Sequence, residues 1–523
     1  MSNAPDILKT LIIYAVIVPL ALFVGYLLTN PLDPSTFIEA GFVMLVLLFP
    51  LLLKWHQPLL ILSWNLNASL FFLPGRPGLW LVLAGISLGI TVLQRAMGGV
   101  KHLISVPPVT WSLVFLVAVV LFTAKMTGLG LRSYGSEVYG GRHYIFLLGG
   151  IMAYFALSMR RIPPEHATLY VAMFCLGGLT GFIIDLTPLL AGSGWQYIYL
   201  IFPYSSSFAG AAQDIDAAPL RFSGAWYVSF AIFTFMMAKY GVRGIFLSGK
   251  HWRWMVFAFA PAYLMLGGYR GFVLLIVFMF ALQFYLEGLH RTKLLPIFAV
   301  LGLIMAVAVI PLASHLPGQY QRALAFLPLD IDPHIRQEAE GTLDWRFNLW
   351  KAVLPEVPKH LMLGKGYALS ANDFQLMAGY DAAIRTANST FAENDIYALA
   401  GTYHNGPLSV LLTFGIGGAI AFIWFVAAGI WVLFCNWRYG DPALQTVNLF
   451  LLVAFVARTV FFLVVYGALD DDMLNFAGFL GLGVGLNGGV CSPAPELAQA
   501  ANKVQVFGRV RAHLQPTLRR PGV

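Results

Sequence analysis

The amino-acid sequence indicates an all-α polytopic membrane protein of about 12–14 transmembrane helices, with one large extracytoplasmic loop domain made of short helices. Hydrophobic residues make up 59% of the 523 residues and charged residues only 11%, a balance that a soluble protein could not bury. Several uncharged runs of about 15–25 residues are long enough to cross a bilayer as helices. One long polar stretch interrupts these runs and accounts for the loop domain.

The apolar runs set the predicted helix boundaries along the chain. The first run has no small-residue cleavage site after it, so we expect a retained span rather than a removed signal peptide. The predicted spans are 9–28, 37–53, 57–73, 78–95, 109–126, 143–158, 168–190, 222–240, 254–269, 271–286, 294–314, 406–434, 443–467 and 473–490.

The basic residues favour one orientation of these spans. An even number of spans puts both termini on one side, and most basic loops, such as Arg160 with Arg161, fall on that side together with the C-terminal tail. By the positive-inside rule this side is cytoplasmic. The formal charge of +8 is explained by these loops and does not indicate nucleic-acid binding.

The longest polar stretch between spans, residues 315–404, is the predicted extracytoplasmic domain. It follows an N-terminal transmembrane bundle at 1–314 and precedes C-terminal transmembrane helices at 405–490 and a cytoplasmic tail at 491–523. Its clearest helix is predicted over 343–354, where apolar residues recur with helical spacing until two prolines stop the pattern.

The segment from His404 to Gly418 joins this polar stretch to an apolar run. A helix beginning at the histidine would have one continuous stripe of residues and allow close approach of a neighbouring helix at two glycines. The stripe contains His404, Leu408, Leu411, Gly415 and Gly418. Asn405 would cap the helix and Pro407 suits its first turn. Because a helix N-terminus disfavours imidazolium, we expect a neutral histidine, suited to a general base. An ordinary capped membrane helix is the alternative.

His404-Asn405, nine residues, a glycine, two residues and a second glycine resemble the signature of bacterial O-antigen ligases and the related O-antigen polymerases. The resemblance extends to Arg270, which lies in a Gly-Gly-Tyr-Arg-Gly turn where the family's usual serine is replaced by tyrosine. It extends also to Arg346, one turn before a tryptophan that could stack on its guanidinium. In that family two such arginines and the histidine form the active centre. The resemblance therefore implies that His404, Arg270 and Arg346 are catalytic.

Other residues are further candidates for substrate binding. They are Asn405, Trp350, Lys365, Arg322 and Arg458. Each has a structural alternative: Asn405 as an ordinary helix cap, Trp350 as part of the apolar helix face, Lys365 as an exposed turn residue, Arg322 as a solvated loop residue, and Arg458 as a structural partner of an acid. Arg458 lies inside an apolar run, where a charge needs a cavity or a partner such as Asp185.

The resemblance implies a glycosyltransferase that moves a glycan from undecaprenyl diphosphate to lipid A-core or another saccharide acceptor. The reaction would take place at the outer face of the bacterial inner membrane, among membrane lipids, with both termini cytoplasmic. His404 would remove the acceptor's proton, while the arginines neutralise the departing diphosphate. No zinc or magnesium ligand pattern is present, so we predict no metal and no cofactor.

Two other functions stay open at this point. An O-antigen or exopolysaccharide polymerase would share the donor and use a growing chain as the acceptor. A non-enzymatic polysaccharide or lipid transporter would need ionisable residues along a central pathway, and Arg458 with Asp185 keeps that reading open.

Overall fold

The computed structural model describes residues 34–73, 75–98, 103–131, 139–190, 192–203, 222–370 and 403–493, together with Gly401 and a few helical residues between 18 and 26. In this part of the chain the regular structure is helical, and β-pairing is limited to two isolated bridges. The α-helices are α1 Pro34–Ser63, α2 Leu79–Ala96, α3 Pro107–Thr127, α4 Gly141–Ser158, α5 Ala167–Leu176, α6 Gly181–Asp185, α7 Thr187–Leu190, α8 Ala225–Phe246, α9 His251–Met265, α10 Arg270–Leu286, α11 Leu294–Leu312, α12 Gly318–Leu324, α13 Pro333–Val353, α14 Val357–His360, α15 Gly406–Tyr439, α16 Gln445–Val464 and α17 Leu469–Asn487.

Six helical segments of the described chain are long and apolar enough to cross a membrane. They are Leu79–Ala96, Pro107–Thr127, Pro164–Asp185, Leu294–His315, Gly406–Tyr439 and Pro442–Val464. The expectation of a helical, multi-pass membrane protein is confirmed at this level, while the larger number of spans stays a prediction. Most of the predicted first span and of the tail at 491–523 lies outside the described residues.

The two spans predicted at 37–53 and 57–73 do not exist as separate helices. The first falls on α1, and the second overlaps only the end of α1, which stops at Ser63 before the mostly non-helical chain from residue 64 to 78. Lys54 suggested a loop between two spans, but it lies within the helix with its ammonium 6.0 Å from the Trp55 ring. A lysine can remain in a helix when its long stem carries the charge to a polar surface.

The span predicted at 168–190 is interrupted. α5 ends at Leu176, a 3₁₀ turn covers Gly177–Thr180, and the short α6 follows. The interruption packs against the non-helical chain after α1: a Cβ on Gly177 would lie 3.1 Å from the Leu66 backbone nitrogen. Asn65 secures the same contact by donating its amide to the Phe174 carbonyl at 2.7 Å. Two irregular segments therefore support each other inside the bundle.

The predicted pairing of Arg458 with a carboxylate is confirmed, but the partner is not the suggested Asp185. Arg458 Nε instead donates to Asp472 at 2.8 Å and joins α16 to the first turn of α17. The Asp185 carboxylate accepts from the Gly224 N–H at 2.7 Å and from the Tyr263 hydroxyl at 2.9 Å. Asp472 follows soon after the same apolar run, so a short connection brings it back to the arginine.

α4 and α17 begin at the same end of the bundle, since His143 Nδ1 lies 2.5 Å from the Asp470 carboxylate. Tyr367, in the chain after α14, stacks on His143 with ring centroids 4.8 Å apart. Its N–H also donates to the Tyr144 hydroxyl at 3.1 Å. The chain between α14 and residue 370 is thus anchored at this end, which we call the site end.

α15 breaks at Gly415, whose backbone adopts φ 63° and ψ −161°. The chain after α14 bonds to the break: the Lys365 N–H donates to the Leu412 carbonyl at 2.6 Å, and the Ile416 N–H donates to the Leu361 carbonyl at 2.7 Å. Backbone groups freed inside a membrane helix need partners of this kind. The predicted continuous stripe from His404 to Gly418 is therefore wrong, because the helix does not pass through Gly415 unbroken.

Candidate active site

His404 lies just before α15 rather than within it. The helix begins at Gly406, and the Asn405 side chain accepts from the Leu408 N–H at 3.1 Å, with Pro407 in the first turn. The predicted cap and proline position are confirmed, but the predicted helix start at His404 is wrong. The histidine has φ 51°, a left-handed conformation that is uncommon for residues other than glycine. This backbone turn sets the direction of the imidazole.

The His404 imidazole lies between two aromatic rings. Its centroid is 5.2 Å from that of Trp345 and 5.2 Å from that of Tyr466. Burial, and then the positive charge of Arg346, lowers the pKa of His404 to about 4. The imidazole is therefore neutral at pH 7, as expected, although burial rather than the helix terminus is the main cause. A neutral imidazole is able to accept a proton.

Arg346 is the residue whose positive charge acts on this histidine. Its Cζ is 5.9 Å from the Tyr466 ring centroid, so Tyr466 rather than the predicted Trp350 supplies the aromatic neighbour. Burial lowers the pKa of Arg346, yet a guanidinium stays charged in proteins. Its Nε is buried and has no hydrogen-bond partner among the described residues. A buried cation with an unused donor suits an anionic ligand.

Tyr466 lies next to both His404 and Arg346, although no sequence pattern predicted a role for it. Its ring is adjacent to both His404 and Arg346, and burial raises the pKa of its phenol to about 12. The hydroxyl is therefore neutral and can donate a hydrogen bond at pH 7. In the sequence it resembles any aromatic residue at the end of a membrane span, so no local signal distinguishes it from an interfacial anchor.

α13 holds Arg346 beside the histidine. It begins at Pro333, ten residues before the predicted helix, because Asp332 caps it by accepting from the His334 N–H at 2.8 Å. Its predicted apolar face is confirmed, since Leu349 and Val353 are buried against Tyr403, Leu408 and Leu412. Trp350 adds a hydrogen bond from Nε1 to the Tyr403 carbonyl at 2.9 Å. The residue before His404 is thereby attached to the helix that carries Arg346.

Arg270 begins α10 at the same end of the molecule. Its Nη2 donates to the Ala339 carbonyl at 3.0 Å, which lies on α13 about 10 Å before Arg346 by the helical rise. The next residue packs toward the site, since a Cβ on Gly271 would lie 3.6 Å from Val465. The structure thus places Arg346 and His404 around one tyrosine and Arg270 roughly two helical turns away along α13.

The other residues predicted to bind substrate differ in their burial and in their contacts. Arg322, expected in a solvated loop, is 6% exposed and packs beside Gly268 in the turn that precedes Arg270. Lys365 is half-buried, and its backbone supports the α15 break. Arg458 is paired with Asp472 and also lines a cavity next to Tyr466. The nearby candidates Glu393, Asp395 and Tyr397, and the sequon at 388–390, lie outside the described residues.

The cavity next to Tyr466 has a volume of about 720 Å³. Aromatic side chains form much of its wall, among them Trp64, Trp80, Trp226 and Tyr269. Asp471 also lines it. A cavity of this size with few polar groups among aromatic rings is typical of a ligand site.

Comparison with known proteins places the site in a family. None of the curated proteins compared with the chain matches it significantly. Residues 254–423 match the family described as O-antigen ligase, and this range includes α9 to α14 and the first part of α15 with its break. The resemblance to bacterial O-antigen ligases is confirmed over residues 254–423, the part of the chain that contains Arg270, Arg346 and His404.

Proposed function

We propose that this protein is an O-antigen ligase-type glycosyltransferase. It moves a glycan from undecaprenyl diphosphate to lipid A-core or another saccharide acceptor, at the outer face of the bacterial inner membrane and without a metal ion. The observation that carries the proposal is the neutral His404 beside Arg346, around Tyr466 and at the edge of an open cavity. Both residues lie in the part of the chain that matches the family.

The reaction exchanges one bond at the anomeric carbon of the donor sugar. An acceptor hydroxyl oxygen attacks this carbon from the side opposite the diphosphate, and its proton passes to His404. The bond between the anomeric carbon and the diphosphate oxygen breaks, and its electron pair leaves with undecaprenyl diphosphate. Attack from the opposite face inverts the anomeric configuration.

The arginines stabilise the charge that develops on the leaving group. Arg346 offers a buried donor close to the histidine, and planar guanidinium groups bind phosphate oxygens in pairs. Arg270 on α10 donates to the Ala339 carbonyl of α13, and we assign it to the second phosphate or the lipid side of the diphosphate. Removal of one such donor typically costs a factor of about 10²–10³ in rate.

Donor binding would also raise the pKa of His404, the proposed base. In the empty site the charge of Arg346 contributes to the low pKa of His404. A diphosphate bound at Arg346 would offset that charge, so the pKa of His404 would rise when the donor arrives. The histidine would then become a stronger base in the presence of its substrate.

Nearby carboxylates support a reaction without a metal. Asp470 is bound to His143 and Asp472 to Arg458, so two of three adjacent acids already have cationic or hydrogen-bonding partners. Only Asp471 of this group faces the cavity.

A transfer assay with purified protein tests the proposal. His404→Ala should lower kcat by a factor of roughly 10²–10⁴, because the general base is lost. Arg270→Lys keeps the charge but loses the paired donors, and should also slow transfer. His334→Ala, on the exposed side of α13, is the matched control and should retain wild-type activity. Full activity in His404→Ala would remove the assignment of the base.

The glycans of a deletion strain distinguish a ligase from a polymerase. A ligase mutant should accumulate long chains that are not attached to lipid A-core. Single repeats attached to the core would instead identify a polymerase, which would share this site and this donor.

The cavities favour an enzyme over a transporter. A second cavity, of about 560 Å³, lies near Gly241 at the other end of α8. It shares no described lining residue with the cavity beside Tyr466. The predicted catalytic residues gather at the site end rather than along a path between the two cavities.

A further inference from the structure

We infer that the 720 Å³ cavity beside Tyr466 is the saccharide subsite, and that it selects the glycan through residues outside the family-matched range. The inference rests on the proposed glycosyl transfer and adds where the sugar lies. Of the residues that line the cavity, only Tyr269 and Phe272 fall within 254–423. The others come from the chain around α1, α2, α5, α6, α8, α16 and α17.

Aromatic rings give the cavity rigid, amphipathic walls. Trp226 stacks on Phe272 with centroids 3.6 Å apart and an interplanar angle of 14°, and Phe230 lies 4.6 Å from the same indole. Trp64 and Trp80 line other parts of the wall. A sugar ring has C–H groups on its faces and hydroxyls at its rim, so flat aromatic surfaces combined with hydrogen-bonding groups match it.

One buried hydroxyl in the wall requires a ligand or water. Ser223 is 8% exposed, lines the cavity, and its Oγ has no hydrogen-bond partner among the described residues. A buried polar group without a partner costs roughly 1–3 kcal/mol. A sugar hydroxyl can both donate to and accept from this oxygen, which an apolar ligand cannot do.

The polar groups of the wall disfavour a lipid tail as the occupant. Asp471 is exposed to the cavity, Asn475 lies one turn further along α17, and Arg458 is on the facing helix. An isoprenoid chain would remove water from these groups without replacing their hydrogen bonds. Saccharide hydroxyls would replace them, and a carboxylate can accept from two hydroxyls.

Part of the cavity wall is irregular backbone, some of it inside the candidate membrane span Pro164–Asp185. The 3₁₀ turn at Gly177–Thr180 contributes Gly178, and the non-helical chain after α1 contributes Asn65 and Asn67. Such backbone occurs inside membranes only where it is buried in protein or borders a polar cavity. These interruptions widen the bundle next to the catalytic residues, and Tyr466 belongs to both the cavity wall and the His404 site.

Binding of lipid-free sugars to the full-length protein in detergent tests the inference. The probe is a panel of lipid-free bacterial oligosaccharides, measured by isothermal titration calorimetry. Wild type should bind at least one member of the panel. Tyr227→Ala and Asp471→Asn, at cavity residues that are exposed and therefore tolerant of change, should each weaken binding at least about tenfold, equal to roughly 1.4 kcal/mol. Trp111→Ala, at an exposed position on α3, is the control and should bind as wild type does.

Several results would overturn the inference while leaving the proposed function intact. These are the absence of binding to wild type by any oligosaccharide, unchanged binding by both cavity variants, or displacement of the bound sugar by geranylgeranyl diphosphate, which carries no sugar. Loss of transfer in His404→Ala together with unchanged sugar binding by both cavity variants would retain the enzyme and reject the subsite. Full transfer by His404→Ala would reject the proposed catalytic mechanism instead.

Discussion

His404 is held in a conformation that its sequence position does not favour. A left-handed backbone costs a residue other than glycine roughly 1–2 kcal/mol. The contacts on both sides offset this cost: Trp350 binds the preceding carbonyl, and Asn405 caps the helix that follows. Strain maintained by its surroundings in this way is typical of functional positions.

The charge of Arg346 should be visible in the pH dependence of transfer. In wild type, kcat/KM should show its acidic decline near the low pKa of the free-enzyme histidine, about 4. Arg346→Met removes a positive neighbour, so the pKa of His404 should rise and the decline should begin at higher pH, in addition to an overall loss of rate. The measurement is kcat/KM against pH for both proteins.

Lys351→Met is the control for this experiment. Lys351 is exposed on the same helix, and its replacement by methionine also removes one positive charge. It should leave the profile unchanged. An identical acidic decline in Arg346→Met and wild type would show that Arg346 does not set the pKa of the base.

Among the helices, α13 and α15 together form the site. α13 carries Arg346 and also binds Arg270 through its Ala339 carbonyl. α15 begins immediately after the histidine and breaks at Gly415, where the chain following α14 bonds to it. The apolar contact of Leu349 with the start of α15 joins the two helices next to His404, the candidate catalytic residue.

Trp350→Phe should separate positioning from stability. The substitution keeps the aromatic packing but removes the hydrogen bond to the Tyr403 carbonyl, a loss of about 1 kcal/mol. We expect kcat to fall at least about fivefold with a small change in melting temperature, since His404 would lose one of its restraints. Trp111→Phe, at an exposed position, provides the comparison. Unchanged kcat in Trp350→Phe would show that this bond does not position the base.

Gly415→Ala should damage the α15 break. The position has φ 63°, and a Cβ there would lie 2.6 Å from the Leu361 carbonyl oxygen, so both backbone strain and a clash oppose it. We expect the free energy of unfolding to fall by about 1–3 kcal/mol or more, which should be measured as a lower melting temperature in detergent.

Gly417→Ala tests whether this effect is specific to the break. Its Cβ would come no closer than 3.4 Å to Val119, and its backbone is helical. It should therefore melt close to wild type. Equal melting temperatures for Gly415→Ala and Gly417→Ala would contradict the role assigned to the break.

Taken as a molecule, the chain separates its basic loops from its candidate site. Arg243 lies in the last turn of α8, Lys250 follows that helix, and Arg291 follows α10, whose other end begins with Arg270. Under the positive-inside rule this arrangement predicts an extracytoplasmic site end, as the proposed function needs.

Labelling of single cysteines in intact cells tests this orientation. Lys351→Cys, exposed on α13, should react with a membrane-impermeant maleimide from outside the inner membrane. Ser248→Cys, exposed after α8, should react only after the membrane is opened. The background should have its three native cysteines, Cys175, Cys435 and Cys491, replaced. Labelling of the Ser248 position alone in sealed cells would reverse the orientation and contradict the proposed location of the reaction.

Features that depend on residues close together in the sequence could be predicted from the sequence alone. The apolar runs around α2, α3, α10 and α16, the Asn405 cap, the Pro407 position and the apolar face of α13 follow from composition and spacing over a few turns. The motif from His404 to Gly418, with the two arginines, was also sufficient to identify the family.

Features that depend on contacts between distant segments required the folded chain. The glycine expected to pack against a neighbouring helix instead breaks α15, because only the fold brings residues 361–366 against it. Tyr466 joined the site, and Asp472 rather than Asp185 became the partner of Arg458, through packing at the ends of α16 and α17. The periodicity of a sequence indicates which side of a helix is apolar, but not which distant residue will pack against that side. The closeness of Arg346 to His404 therefore depends on tertiary packing.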